Sequence, residues 1–275
     1  MFFDCRAFTV AKDASDPSSN QDALEVDAEA GRAAVADGVS STLFAGPWAR
    51  TLVKGVVADP PDVSRGDQFR RWLEIQRQAW ANAVDVSELA WHQKTKLRDG
   101  ASTTLLWVEL TEADDRQFEL RSFAIGDGCL FHVRGDQVLR AFPIEDSRLF
   151  DVNPEVLRSV AGTPDEQTEF VTLHDVCHPG DLLVLCTDAV AAWALVQLEA
   201  GGSPGWQSIW DYDARQWQQH ILDLREAQQI RYDDSTVLML RLTARVRGKE
   251  SASAAWANKL KDSVWKKLPG GAGDD

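Results

Sequence analysis

The stretch "AVADGVSS", residues 34–41, decides how the chain is read. Ala34, Val35 and Ala36 are a short apolar run of the kind that ends a buried strand. Asp37-Gly38 is turn chemistry, and small hydroxyl residues follow it. Alone, an Asp-Gly pair reads as a two-residue hairpin loop. Other strands in the chain end the same way. "LLVLCTDA" delivers Asp188, "SFAIGDG" delivers Asp127, and "RYDDSTVLMLRL" opens on Asp233-Asp234. Asp22 closes "SSNQD" just before a further strand.

Each acid has an ordinary structural explanation. Asp37 can be a turn residue, Asp188 a helix N-cap, Asp127 a hairpin corner and Asp233 a solvated strand entry. As a set they point elsewhere, because every one sits at the end of an apolar strand. Strand ends hold side chains rigidly and can bring several to one spot. Converging carboxylates raise one another's pKa unless a cation neutralises them. Hard divalent ions such as Mg²⁺ or Mn²⁺ suit an all-oxygen site of this kind. A zinc site is a poorer fit: His174 and His178 are four apart, but Pro179 and Gly180 follow at once.

Composition narrows the classes further. The chain has 275 residues, of which 44% are hydrophobic, with 11 Trp and 11 Phe, enough for a sizeable core. A formal net charge of -14 opposes a nucleic-acid backbone, so no nucleic-acid partner is expected. Cys5, Cys129, Cys177 and Cys186 form no CxxC pair, and Cys129 and Cys186 lie in apolar runs as small hydrophobes. The start "MFFDCRAFTV" carries Asp4 and no basic cluster, and no apolar run reaches the roughly 18 residues of a membrane span. The expected location is cytoplasmic, with reduced thiols.

Periodicity places the elements. Residues 2–10 open as a strand, and two short strands meet at the Glu29-Ala30-Gly31 corner. In "GPWARTLVKGVVAD", Trp48, Leu52, Val53 and Val56 share a helix face. In "DQFRRWLEIQRQAWANAV", Phe69, Trp72, Leu73, Trp80, Ala83 and Val84 form a stripe that reads as a helix packed on a sheet. From Gly100 the chain reads as an antiparallel meander: "ASTTLLWVEL", "QFELRSFAIG", "CLFHVRG" and "QVLRAF". Residues 143–180 read as irregular. "DLLVLCTDAVAAWALVQL" is a buried strand, an Asp and an apolar helix, followed by a helical region with Trp206, Trp210 and Trp217. Beyond a linker starting at 244, "AWANKLKDSVWKKL" is a basic amphipathic helix, and the "PGGAGDD" end is expected to be disordered. That helix is the one feature suited to a membrane surface or an acidic partner; packing on the acidic body, or fraying, is the simpler expectation.

The order of these motifs resembles the metal-dependent protein phosphatases, the type 2C serine/threonine phosphatases. "NQDAL" resembles the family's Asn-Glu-Asp segment and "VADGVSS" its Asp-Gly motif. "GASTTLLWVEL" is similar to its Gly-Ser/Thr-Thr strand, and "FAIGDGCLFHVRGDQV" to its Gly-Asp-Ser hairpin. "LLVLCTDAV" resembles the strand ending in Ser-Asp-Gly, and "DDSTVLMLRL" the closing Asp-Asn-x-Thr strand. The resemblance runs through residues 1–243. It implies an α+β fold, a four-layer αββα sandwich of two mainly antiparallel sheets flanked by helices, with a metal cleft at the strand ends.

The resemblance also implies roles. Asp37 would bridge two Mg²⁺ or Mn²⁺ ions, with the Gly38 carbonyl on one of them. Asp188 and Asp233 would complete the other's shell, Asp22 would hold a metal-bound water, and Asp127 would serve a weaker third ion. Asp234 stands where the family has Asn, so Asp233 is the preferred ligand of that pair. The implied substrate is a phosphorylated protein, with a kinase as opposing partner. The implied reaction is hydrolysis of a phosphate monoester by water whose pKa two metals have lowered, so no cysteine nucleophile is needed.

Departures from the pattern keep a second class open, a pseudophosphatase that binds or regulates. Pro17 occupies the place of the family's phosphate-binding arginine, with Lys12, Arg98 and Arg231 as candidate substitutes. Gln21 replaces a carboxylate, Ser40-Ser41 replace paired glycines, and Ala189 replaces the glycine after Asp188.

Overall fold

Strand β12 (Ser235–Leu242) shows how the sequence pattern becomes layers. Val237 and Met239 join one apolar cluster, while Leu238, Leu240 and Leu242 join another. A strand buried on both faces reads as a continuous apolar run, and that is how residues 182–186 and 237–240 look. The computed structural model describes residues 2–87, 89, 91, 97–114, 116–150, 154–162 and 170–244. In it, β12 lies in a five-stranded antiparallel sheet between β1 (Phe3–Val10) and β11 (Leu182–Cys186). That sheet continues through β7 (Cys129–Arg134) to β8 (Gln137–Phe142).

The second five-stranded sheet runs β10 (Val171–Cys177), β6 (Gln117–Ile125), β5 (Leu105–Asp114), β3 (Arg32–Ala36), β2 (Ala23–Asp27), again antiparallel throughout. A short pair, β4 (Ser102–Thr103) and β9 (Leu157–Arg158), stands apart.

Three apolar clusters define four layers. The middle one joins the sheets, with Phe3, Leu183 and Leu240 from the first against Val35, Leu106 and Leu120 from the second. On the outer face of the first sheet pack α3 (Asp188–Glu199), α4 (Trp206–Trp210) and α5 (Ala214–Glu226), burying Trp193, Trp206, Trp210 and Trp217. On the outer face of the second pack α1 (Ala45–Ala58) and α2 (Gly66–Ala83). Trp48, Leu52, Val53 and Val56 of α1 are fully buried, and the aromatic stripe of α2 faces the same core. Ala83, expected in that stripe, is exposed, while the polar Gln76 and Arg77 are buried. Gln76 lies directly over Gly55 of α1, where a Cβ would clash with its Oε1.

Two expectations need correction. The four strands after Gly100 are no meander: β5 and β6 belong to the second sheet, β7 and β8 to the first. Gly126, at φ +93°, turns the chain from one sheet to the other, so Asp127 sits at a crossover and not in a hairpin. The region 143–180 is also not wholly irregular, because β10 pairs with β6 along Val171–Cys177. The expected C-terminal helix lies outside the described residues. Among those described, no helix is long and apolar enough to cross a membrane.

Candidate metal centre

Register brings the aspartates together. Cys129, the first residue of β7, pairs with Cys186, the last of β11, and Cys186 pairs on its other side with Val237 near the start of β12. In the second sheet Ile125 ends β6 opposite Leu105, and Val35, near the end of β3, pairs with the adjacent Leu106. Asp37, Asp127, Asp188 and Asp233 therefore leave their strands at one end of the sandwich. All four line a cleft of about 260 Å³, together with Val39, Thr104, Pro154 and Arg231. Pockets that enclose a drug-sized ligand run to roughly 300–1,000 Å³, so this cleft suits ions and one end of a substrate.

The "GASTT" segment fixes Asp37. The Thr104 N–H and the Thr103 hydroxyl donate to the Asp37 carbonyl at 2.9 and 2.6 Å, and the Asp37 N–H donates to the Thr104 hydroxyl at 3.0 Å. With its backbone pinned on both sides, only the carboxylate is left to face the cleft. Gly38 pairs with Thr103 through an isolated bridge, and a Cβ there would meet the Gln21 carbonyl at 2.7 Å. Only glycine allows that approach.

Asp188 is the first residue of α3 and not its N-cap. The cap position is Thr187, whose side chain does not cap the helix. Its hydroxyl donates instead to Asp22 Oδ2 at 3.0 Å and accepts the Thr236 N–H at 3.2 Å. Asp22 thus sits behind the cleft wall, within the electrostatic reach of Asp37. Asp234 also turns away from the cleft. Its two oxygens accept the Lys12 and Gln21 N–H groups at 2.6 and 2.7 Å, tying down the loop that carries Asp22. Asp233 remains in the cleft, 3.5 Å from the Lys12 ammonium.

The electrostatics are those of a site short of positive charge. Burial, then the charges of Asp22, Asp188, Asp127 and Asp233, push the Asp37 carboxyl well above the usual range. Burial and Asp234 do the same to Asp22; burial and Asp233 raise Asp188 against the pull of Arg231. One buried oxygen of Asp22 and one of Asp188 have no hydrogen-bond partner. Buried carboxylate oxygens are costly in that state, and hard divalent cations are the ligands that all-oxygen donor sets of this kind accept. The residues fit such ions.

Sequence reasoning missed the work of Gln21. Its Oε1 accepts the Gly46 N–H at the start of α1 at 2.7 Å, and its Nε2 donates to the Ser19 carbonyl at 2.8 Å. An amide can do both; a carboxylate could not donate. Pro17 opens an exposed 3₁₀ turn, Pro17–Ser19, capped by Asp16. Of the three candidate cations, only Arg231 lines the cleft.

A second polar cluster, His132, Cys177 and Asp181, lies at the opposite end of β7 and β11, with ligand atoms within 4.8 Å of one another. Its charge is already matched: Asp181 accepts from the Arg134 fork at 2.7 and 2.8 Å and from the His178 N–H at 2.8 Å. All four cysteines are buried, and burial pushes the Cys5 and Cys177 thiols up to about 12, which leaves no thiolate nucleophile there.

Two antiparallel sheets between helical layers, with an acidic cleft at the strand ends, are the architecture that the resemblance to type 2C phosphatases implies. The chain belongs to the protein phosphatase 2C family, whose model matches residues 12–230. That match stops short of Asp233. The family is metal-dependent and acts on phosphoproteins. Among solved structures, the Mycobacterium tuberculosis serine/threonine phosphatase PstP/Ppp is similar with a TM-score of 0.53 and 15% identity, covering 88% of this chain and 100% of that one. Stp1, a serine/threonine phosphatase of Staphylococcus aureus, gives 0.54 and 12%, covering 90% and 96%. PppA, a regulatory component of the type VI secretion system in Pseudomonas aeruginosa, gives 0.52 and 17%, covering 88% and 98%. At these identities the likeness is one of fold alone. Curated protein sequences give no match.

Proposed function

We propose that the chain is a metal-dependent phosphoserine/phosphothreonine protein phosphatase using two Mg²⁺ or Mn²⁺ ions, with residues 1–243 as the phosphatase domain. One observation carries this: carboxylates from four strand ends, Asp37, Asp127, Asp188 and Asp233, meet in one cleft that a single arginine lines. Asp37 and the Gly38 carbonyl, with Asp188 and Asp233, would hold the ions; Asp127 is the donor for a weaker third. When bound, the ions supply positive charge for a phosphate dianion and lower the pKa of water for in-line attack. Asp22 orients from behind, its position set by Thr187 and Thr236. Asp234 holds the loop and not an ion. The cleft's small volume admits the phosphoryl end of a side chain and leaves the rest of a protein substrate outside. The substrate's kinase is the opposing partner, and the setting is cytoplasmic.

Hydrolysis of a phosphoserine or phosphothreonine peptide, followed by phosphate release, tests this. Turnover should need added Mn²⁺ or Mg²⁺ and vanish with chelator. A specific observation favours the second reading, a binding module without turnover: the amide of Gln21 is committed to the start of α1, so one carboxylate of the family pattern has been given up to structure. Metal-saturated protein that binds a phosphopeptide and never releases phosphate would establish that alternative.

A further inference from the structure

We propose that Arg231 is the phosphate-binding cation of this cleft, in place of the arginine that Pro17 displaces. The inference rests on the site described above but not on turnover at it. Among the described residues lining the cleft, Arg231 is the one cation. Its Nη1 lies 3.2 Å from Asp188 Oδ2, so the guanidinium reaches whatever Asp188 faces. It is also held in place. Nη2 donates to the Phe150 carbonyl at 3.4 Å, and the guanidinium lies 5.5 Å from the centre of the Phe150 ring. A stacked, anchored guanidinium loses less freedom on binding than a mobile lysine does.

Donors remain for an anion. Arginine carries five N–H groups, and these two contacts leave the others for phosphate oxygens. The side chain is 43% exposed, so a ligand can reach it. Nearby cations are committed elsewhere. Arg225 donates to the Ala11, Lys12 and Asp233 carbonyls, a structural tie between the 11–12 segment and the strand entry. Lys12 pairs with Asp233 and does not line the cleft. A divalent ion drawing the charge of Asp188 would weaken that residue's hold on Arg231, and a phosphate dianion is the natural replacement, taken by a charge-assisted fork. Recognition of the phosphoryl group would then come from the loop before β12, on the far side of the sequence from the Pro17 loop.

Calorimetric titration of inorganic phosphate and of a phosphopeptide into Mn²⁺-saturated full-length protein decides it. Charge-assisted hydrogen bonds contribute about 1.5–3 kcal/mol, which converts to about a ten- to hundredfold loss of phosphate affinity in Arg231→Gln. Arg231→Lys, which keeps charge but not the fork, should fall between. Mn²⁺ heat should persist in both, since Arg231 is no ligand, and circular dichroism controls for folding. Equal phosphate affinity in wild type and Arg231→Gln overturns the proposal while leaving the metal centre standing, as does a wild type that binds Mn²⁺ but no phosphate at millimolar concentration. Arg231-dependent phosphopeptide binding without hydrolysis supports Arg231 and overturns turnover instead.

Discussion

Asp37 and Asp234 are both strand-end aspartates, yet their surroundings are opposite. Asp37 has its backbone pinned by Thr103 and Thr104 and its carboxylate in the cleft; Asp234 has both oxygens consumed by backbone N–H groups. Asp37→Asn keeps the size and turn preference but halves the capacity to bridge cations. Phosphopeptide hydrolysis should fall at least about a hundredfold, the scale of losing one electrostatic stabiliser. Wild-type turnover in that variant would make Asp37 a mere corner. For the neighbouring pair, Asp233→Asn should weaken Mn²⁺ binding in calorimetry about tenfold or more, and Asp234→Asn should change it only a few-fold. The reverse order would place the ligand one residue later. The sequence shows these acids because each follows or precedes an apolar run. It hides how Asp234 is used, since hydrogen bonds to backbone groups more than 200 residues away, such as that from the Gln21 N–H, leave no local pattern, and it hides the Gln21 amide because nothing in the sequence marks Gly46 as its partner.

Among elements, the legible ones are those whose burial is either periodic, as in helices, or continuous, as in central strands. Helices α1 and α2 and strands β11 and β12 bury complete faces, and their apolar spacing says so. Strand β10 hides because it is a sheet edge: of Val171–Cys177 only Leu173 and Cys177 are buried, so no alternation marks it. The β6–β7 crossover hides because a Gly-Asp-Gly corner reads the same whether the next strand pairs with the last or joins another sheet. Two element-scale outcomes can be measured. Gly31, between β2 and β3, has φ +75°, and a Cβ there would stand 2.5 Å from the Leu110 carbonyl oxygen. Gly31→Ala should destabilise by more than about 1 kcal/mol in urea unfolding, since both backbone strain and a backbone clash oppose it. At the start of β11, burial works upward on the Asp181 carboxyl, but hydrogen bonds from Arg134, His132 and the His178 N–H outweigh it and hold it at about 2. A depressed carboxyl adds stability above its unfolded pKa, near 4, and loses it as pH falls towards 2. The destabilisation by Asp181→Asn should therefore be fully present at pH 6 and shrink between pH 4 and 2. A gap between the two proteins that stays constant with pH would mean the ion pair contributes nothing.

Across the molecule, four layers follow from strands buried on both faces and helices buried on one. The antiparallel register then places strands that are distant in sequence so that their ends open on a common cleft. The stability of that arrangement is bound up with charge: carboxyls raised by burial and by one another are held together in a protein of net charge -14. A cation bound only by the folded state relieves this and stabilises it. Isothermal calorimetry of Mn²⁺ into metal-free full-length protein, paired with thermal unfolding, measures that directly. The expected result is saturable heat for about two equivalents and a rise in Tm with metal concentration, both reduced in Asp37→Asn. Neither heat nor stabilisation at millimolar Mn²⁺ or Mg²⁺ would contradict a metal centre in this cleft.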